Sequence, residues 1–311
     1  MTLSIAMATF NGELFLREQL DSIIKQSILD WELIVCDDCS TDNTWQILEE
    51  YAQRDKRIKI YLNDNNLGFL KNFENAILKC SGDYIALSDQ DDIWTKNHLE
   101  TLLNNIVGNS AAVGNALIMD ENGNSANYLL SDGDLYFDQG NNIDKLYTIL
   151  CYRNPFFGSI SLYKADELKD ICFPIPDCVS CHDIWFSAVA CCMKGLSYSF
   201  EPLAMHRIHG KNESGTHNVN FFFQVLSTIN NNRKEFSKQR MGICDALLSR
   251  VPNLSDEFKG HIQQIKSYHK SRLEGNRIKT ILFMKKHYHQ IFSRQDNKQF
   301  FSRCIGVLIS G

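Results

Sequence analysis

The stretch Ser88-Asp89-Gln90-Asp91-Asp92-Ile93-Trp94 places three carboxylates within four positions. It follows the apolar run Tyr84-Ile85-Ala86-Leu87, which reads as a short buried strand ending in acid. Asp and Gln at the end of such a strand add little to packing, and neighbouring carboxylates repel one another. A compensating positive group is therefore expected. A divalent cation carrying a diphosphate meets that need, because hard oxygen ligands suit Mg²⁺ or Mn²⁺. The competing account is a solvated acidic turn that opens a helix, with Asp92 as its N-cap. The stretch alone leaves both open.

The elements around it narrow the choice. Leu3–Ala8 reads as a strand, broken by the turn chemistry of Thr9-Phe10-Asn11-Gly12. Leu16, Leu20, Ile23 and Ile24 then fall at helical spacing within 13–26. Trp31–Cys36 is a second strand, ending in Asp37-Asp38-Cys39-Ser40, after which Thr41 or Asp42 can cap a helix reaching Tyr51. Ile58–Tyr61 is a third strand, and Asn65-Asn66-Leu67-Gly68 turns into a helix over Phe69–Lys79. This β-α-β-α alternation predicts an α/β fold with a mainly parallel sheet and helices on both faces. Ligands of such sheets lie beyond the carboxyl ends of the strands. Thr9–Asn11, Asp37–Ser40 and Ser88–Asp92 all fall there, which favours a binding crevice over an ornamental acidic turn.

Beyond residue 95 the pattern loosens. The spacing predicts a helix over His98–Ile106, a strand over Ala111–Met119, a turn-rich stretch over 121–140 and a strand over 156–163. A helix is expected from His182 through Met193, a strand over Leu196–Phe200, and a polar segment over His206–Asn212. A boundary near 215 divides an α/β domain, 1–215, from a mainly helical region, 216–311. Charge supports the division. Residues 1–230 hold 16 of the 32 Lys+Arg but 31 of the 37 acids, about -15, which leaves about +10 on residues 231–311.

The N-terminus lacks a basic n-region with a long apolar core, and no run approaches the ~18 apolar residues of a membrane span. A cytoplasmic protein with reduced thiols is expected. Cys178-x-x-Cys181 with Cys191-Cys192 looks like half a zinc site, but the adjacent pair is poor ligand spacing; small buried apolar residues are the favoured account of the 11 cysteines.

Together, Thr9-Phe10-Asn11, Asp37–Asp42, Asn66-Leu67-Gly68, Asp89-Gln90-Asp91-Asp92 and His182-Asp183 resemble the family 2 glycosyltransferases of the GT-A fold. The likeness covers roughly residues 1–215 and is strongest to bacterial enzymes of O-antigen and capsule synthesis, including rhamnosyl-, galactosyl- and glucosyltransferases. It implies an inverting, metal-dependent transfer from a nucleotide-diphosphate sugar. In that frame Asp38, with Asp37, holds base or ribose, and Thr9 and Asn11 shape the nucleotide pocket. Gly68 either admits the nucleotide or serves the turn, and Lys71 and Asn72 either reach phosphate or form a helix face. Asp91 ligates Mn²⁺ or Mg²⁺, Asp89 contacts ribose or a metal-bound water, and Asp92 is a cap or a substitute. Asp183 is the implied general base, with N-capping of its helix as the alternative. His209 is the implied further metal ligand, with Arg207 or Lys211 neutralising diphosphate; His206 stands where a tyrosine is frequent, which leaves open which histidine faces the metal.

The basic tail has two readings. Apolar Ile262, Ile265, Tyr268, Leu273, Ile278, Ile281, Leu282 and Phe283 alternate with Lys and Arg at helical spacing. That pattern suits either peripheral contact with an anionic membrane, at the inner face of the cytoplasmic membrane where a polyprenyl-diphosphate-linked acceptor would lie, or a bundle packed on the catalytic domain. Nucleic acid is not an expected partner, since no stacking aromatic pattern accompanies the charge. A silent sugar-nucleotide-binding protein is the rival from another class. A nucleotidyltransferase would need a Gly/Lys/Arg-rich phosphate loop after the first strand, which Thr9–Gly12 does not supply.

Overall fold

The computed structural model describes residues 2–131, 140–152, 154–210 and 233–291. Its first half is a regular winding: β1 (Leu3–Thr9), α1 (Leu16–Ile24), β2 (Trp31–Asp37), α2 (Thr44–Arg54), β3 (Ile58–Leu62), α3 (Phe69–Lys79) and β4 (Tyr84–Ser88). Strands alternate faces residue by residue. Ile5, Met7, Leu33, Val35 and Ala86 pack under α1 and α2, while Ala6, Ile34, Cys36, Ile85 and Leu87 pack against α3 on the other side. Both faces of β1, β2 and β4 are covered, so apolar residues dominate them.

The sheet order is β3-β2-β1-β4, with all of these pairs parallel. The chain winds outward from β1 to β3, then crosses back through α3 to β4 on the other flank of β1. This reversal opens a crevice at the carboxyl ends of β1 and β4. The parallel sheet expected from the alternation holds for this half.

The second half is mixed. β5 (Ile93–Trp94), α4 (His98–Asn105), β6 (Ala111–Met119) and β7 (Ser125–Leu129) are followed by α5 (Asn142–Tyr147), β8 (Ser161–Lys164), α6 (Ala165–Cys172), α7 (His182–Cys192) and β9 (Leu196–Arg207). β8 lies antiparallel between β4 and β6, β9 runs parallel to β6, and β5 lies antiparallel to β9. Three expectations shift here. The turn-rich stretch 121–140 contains β7. The strand expected over 156–163 starts only at Ser161, after a tight turn over Gly158–Ile160. β9 runs on to Arg207, so His206 and Arg207 belong to a strand rather than to a polar loop.

The C-terminal helices are α8 (Arg233–Arg250), α9 (Asp256–Leu273), α10 (Arg277–Lys286) and α11 (Tyr288–Ile291). Ile243, Leu247, Ile262, Ile265 and Met284 share one continuous core with α3, α6 and α7. For these residues packing on the α/β unit is what the structure shows. The boundary expected near 215, Lys211 and the apolar run 300–309 lie outside the described residues.

Candidate active site

The acidic loop leaves β4 at the sheet centre and ends on β9. After Ser88 the chain passes through Asp89–Asp92 and joins β9 as strand β5, with Ile93 opposite Met205. Asp92 therefore caps no helix. It is fully buried, and its Oδ1 accepts from His206 Nδ1 at 2.9 Å and from the Arg207 N–H at 3.2 Å. Burial opposes charge on His206, but the Asp92 carboxylate raises its pKa. The pair pins the loop to the strand.

Arg207 completes that pin. Its Nε donates to the Asp91 carbonyl at 2.9 Å, Nη1 to the Glu121 carbonyl at 3.2 Å and Nη2 to Glu18 at 2.7 Å, and the guanidinium lies over the Phe15 ring. With 1% of its surface exposed, Arg207 holds the loop to the strand. Gln90 ties the other side of the loop, accepting from the Phe10 N–H at 2.9 Å and donating to the Phe10 carbonyl at 3.0 Å. A Cβ on Gly12 would stand 2.4 Å from Gln90 Oε1, so a side chain there would displace the Gln90 amide.

Asp89 and Asp91 remain facing the crevice. Asp91 Oδ2 lies 2.8 Å from His209 Nε2. Adjacent ligands on an octahedral ion with bonds of about 2.1 Å stand about 3 Å apart, so the two atoms fit neighbouring positions on Mg²⁺ or Mn²⁺. This answers which histidine faces the carboxylates: His209 meets Asp91, while His206 serves Asp92. Asp89 is crowded by the neighbouring carboxylates. Burial, then the charges of Asp92, Asp91 and Asp183, push its pKa well above the ordinary carboxylate range. A divalent ion would relieve that crowding.

Asp183 reaches the same place from the opposite side, as the second residue of α7. His182 Nε2 lies 2.8 Å from its Oδ1. Burial raises the Asp183 pKa, but His182, the Gly158 backbone and Cys181 beside it outweigh that, and the net shift is downward. A Cβ at Gly158 would fall 2.2 Å from Asp183 Oδ1 and 2.8 Å from His182 Nε2. The tight turn at Gly158–Ile160 thus brings bare backbone against the carboxylate. His182 is itself held among Phe69, Phe73 and Phe186. Cys181, His182 and Asp183 present ligand atoms within 4.8 Å of one another, but the two contacts to Asp183 make this a carboxylate cradle. The ten described cysteines are free thiols, and most are buried in the core.

The loops after β1 and β2 form the remaining wall. Asp37 accepts from Thr9 Oγ1 at 2.8 Å and from the Ser40 hydroxyl and N–H at 2.6 and 2.9 Å. Asp38 accepts from the Leu67 and Gly68 N–H groups, both at 2.8 Å, and from Asn63. Asn72 donates to the Thr9 and Cys36 carbonyls and accepts from Asn63. Asp37 and Asn72 are buried and engaged by the protein, so they shape the wall. Asn11, at φ 49°, accepts from the Thr41 N–H at 2.8 Å. Gly68 has φ 79° and open space where a Cβ would lie, so its turn, not a close approach within the protein, demands glycine.

Sequence reasoning missed Gly158, Gln90 and Glu18, and weighed Cys181 only as part of a zinc site. Gly158 sat inside an apparent strand, and Glu18 looked like solvated helix surface. Only the Gln90 position, between two flagged acids, carried any signal.

A family model described as Glycosyl transferase family 2 matches residues 4–165. Over 121 residues the chain is 36% identical to UDP-Glc:alpha-D-GlcNAc-diphosphoundecaprenol beta-1,3-glucosyltransferase WfgD of Escherichia coli, covering 38% of this chain and 47% of that protein. The chain thus spans less than half the length of that relative. Over 255 residues it is 29% identical to the dTDP-rhamnosyl transferase RfbG of Shigella flexneri, covering 77% of this chain and 85% of RfbG. The crystal structure of S. aureus TarS 1-349 in complex with UDP-GlcNAc superposes with a TM-score of 0.60 at 20% identity, covering 94% of this chain and 82% of that one. That last likeness concerns the fold. The chain belongs to glycosyl transferase family 2, and its fold is the GT-A arrangement with a C-terminal helical region.

Proposed function

We propose that this family 2 member transfers a hexose or deoxyhexose, with inversion, from a nucleotide-diphosphate sugar to a polyprenyl-diphosphate-linked saccharide during bacterial surface polysaccharide synthesis. Donors of the dTDP-rhamnose type or UDP-hexoses such as UDP-galactose and UDP-glucose fit the reading, since the printed activities of RfbG and WfgD fall in those classes. The observation that carries it is the convergence of Asp89, the Asp91–His209 pair and Asp183 at one crevice.

Asp91 and His209 would hold Mn²⁺ or Mg²⁺, with Asp89 beside them. Such an ion stabilises the negative charge that grows on a leaving nucleoside diphosphate. The chain's own groups do the rest. The loops at Thr9–Gly12, Asp38–Thr41 and Leu67–Gly68 form the nucleotide wall, largely through backbone fixed by Asp37, Asp38 and Asn72. The Asp183 carboxylate, held ionised by His182, accepts the proton of the acceptor hydroxyl as it attacks the anomeric carbon. Attack from the side opposite the leaving group in a single displacement inverts configuration.

The test is a thermal-shift screen of nucleotide sugars with Mn²⁺ and Mg²⁺, followed by transfer to a purified lipid-diphosphate-sugar acceptor. Asp183→Asn should lower transfer by about 100-fold or more while keeping nucleotide binding. Asp91→Ala and His209→Ala should lose the metal-dependent part of that binding. Wild-type transfer by both Asp91→Ala and Asp183→Asn would refute the reading, and binding without turnover on any lipid-linked acceptor would favour a silent binding protein.

A further inference from the structure

Helix α10 is anchored on one side and bare on the other. Thr280 and Met284 are buried, and Phe283 stacks on Tyr268 with ring centroids 4.5 Å apart. The opposite side carries Ile278 at 74% and Leu282 at 61% exposure. At 100° per residue, these two lie one turn apart on a single stripe. Lys285 flanks the stripe on one side, and Lys279 and Lys286 flank it on the other; all three are exposed, as is Arg277 at the start of the helix.

Three lysines of the neighbouring helix α9 are paired, unlike these. Asp245, Asp256 and Glu274 pair with Lys266, Lys259 and Lys270. Helix α10 itself contains no acid, and among the described residues no carboxylate forms an ion pair with Arg277, Lys279, Lys285 or Lys286. Lys286 reaches only the Gln264 amide, at 3.4 Å. Two bare aliphatic side chains ringed by unpaired lysines form a small amphipathic surface of the kind that settles into a bilayer interface. Among the described residues no helix is long and apolar enough to cross a membrane, so the contact would be peripheral.

We propose that the outer face of α10 docks the protein on an anionic lipid surface, with Ile278 and Leu282 entering the headgroup–acyl boundary and Lys279, Lys285 and Lys286 meeting lipid phosphates. This face is rigid, because its inner side is part of the core. Lipid is favoured over nucleic acid because the centre of the patch is aliphatic and offers no ring for base stacking. The inference extends the proposed function, since a polyprenyl acceptor lies in such a surface. It is tested without donor or acceptor, so its failure would leave the transfer reaction untouched.

The experiment is co-sedimentation of the full chain with vesicles of phosphatidylglycerol in phosphatidylcholine, against phosphatidylcholine alone, at low and high salt. Binding should need the anionic lipid and weaken with salt. Each lysine near such a surface is worth about fivefold in affinity. The triple variant Lys279→Gln/Lys285→Gln/Lys286→Gln should therefore bind about 100-fold more weakly. Ile278→Ser/Leu282→Ser should weaken it about 10-fold or more. Neither should alter the melting temperature, because all five side chains are exposed. Lys25, Lys56 and Lys96 are exposed elsewhere, and their triple Gln variant, with the same charge change, should bind like the parent. Equal loss in that control, unchanged vesicle binding by the α10 variants, or self-association removed by Ile278→Ser/Leu282→Ser without any vesicle binding would each overturn the proposal.

Discussion

Replacing Gly158 with alanine tests how the proposed base is positioned. Gly158 does not have a positive φ, so the backbone itself accepts alanine. The obstacle is the carboxylate. The new Cβ would stand 2.2 Å from Asp183 Oδ1, 3.1 Å from its Cγ and 2.8 Å from His182 Nε2. Real Cβ contacts essentially never fall under 3.0 Å, so Asp183 must retreat by roughly 1 Å, a misplacement that costs on the order of 100-fold in rate. That is about 2.7 kcal/mol on the transition state. Crowding of this kind also costs about 1–3 kcal/mol of stability, so the variant should still fold. The measurement is kcat with saturating donor and acceptor, together with calorimetric nucleotide binding. Binding should stay within about twofold, since Gly158 touches no part of the nucleotide wall. A double-mutant cycle makes the test specific. Asp183→Asn keeps the shape but removes the base, so adding Gly158→Ala to it should cost nothing further in rate. Wild-type kcat in Gly158→Ala, or an equal second loss on the Asp183→Asn background, would refute the argument.

Three further perturbations follow from the same contacts. His182→Leu removes the charge and hydrogen bond that offset burial of Asp183; the acid limb of the kcat/KM profile should move toward neutral pH, and an unmoved limb would exclude His182 from this positioning role. Arg207→Met leaves the part-buried Asp91 and Glu121 carbonyls without their donor, which should cost about 1–2 kcal/mol and lower the melting temperature by a few degrees, measured by scanning calorimetry. Glu32 tests pH linkage in the scaffold. Burial raises its pKa, but hydrogen bonds from Lys59, Ser4 and Ser81 bring it down to about 2. A depressed folded pKa gives stability that is complete above the ordinary value of 4.5 and lost as pH falls toward 2. Because Lys59 is half exposed, about 1–2 kcal/mol is expected after screening. Glu32→Gln should therefore melt below the parent at pH 7, and the gap should shrink by pH 3.

β1, β2 and β4 were legible because both of their faces are buried, and the edge strand β3 because the helices around it wind regularly. Each strand is a short apolar run, each ends in turn chemistry, and α3 begins at Phe69 and ends at Lys79 as the spacing predicts. Past β5 the signals fail for a physical reason. β8 is four residues long, and the turn before it is built from Gly158, Ser159 and Ile160, whose composition reads as strand. Nothing local says that this turn must press its backbone against a helix that starts at residue 182. Such contacts are made by tertiary packing, and spacing along the chain does not carry them.

The candidate site shows the same division between charge and contact. Residue type located the acids at the crevice, but it could not say which of them face it. Asp89, Asp91 and Asp92 are near-equivalent in sequence. In the fold, Asp92 is withdrawn by His206 and the Arg207 N–H, Asp91 is left beside His209, and Asp89 carries the uncompensated repulsion. The sorting depends on strand alternation. His206 and Arg207 are consecutive on β9, and successive side chains point to opposite sides, so one serves the buried acid while the other reaches the Asp91 carbonyl and Glu18. Two residues on, past the strand end, His209 meets Asp91. A sequence that moved this pair by one position would exchange those partners and leave Asp92 buried without a cation. The register of β5 on β9, Ile93 against Met205 and Trp94 against Ala204, is therefore what decides which carboxylates stay at the crevice.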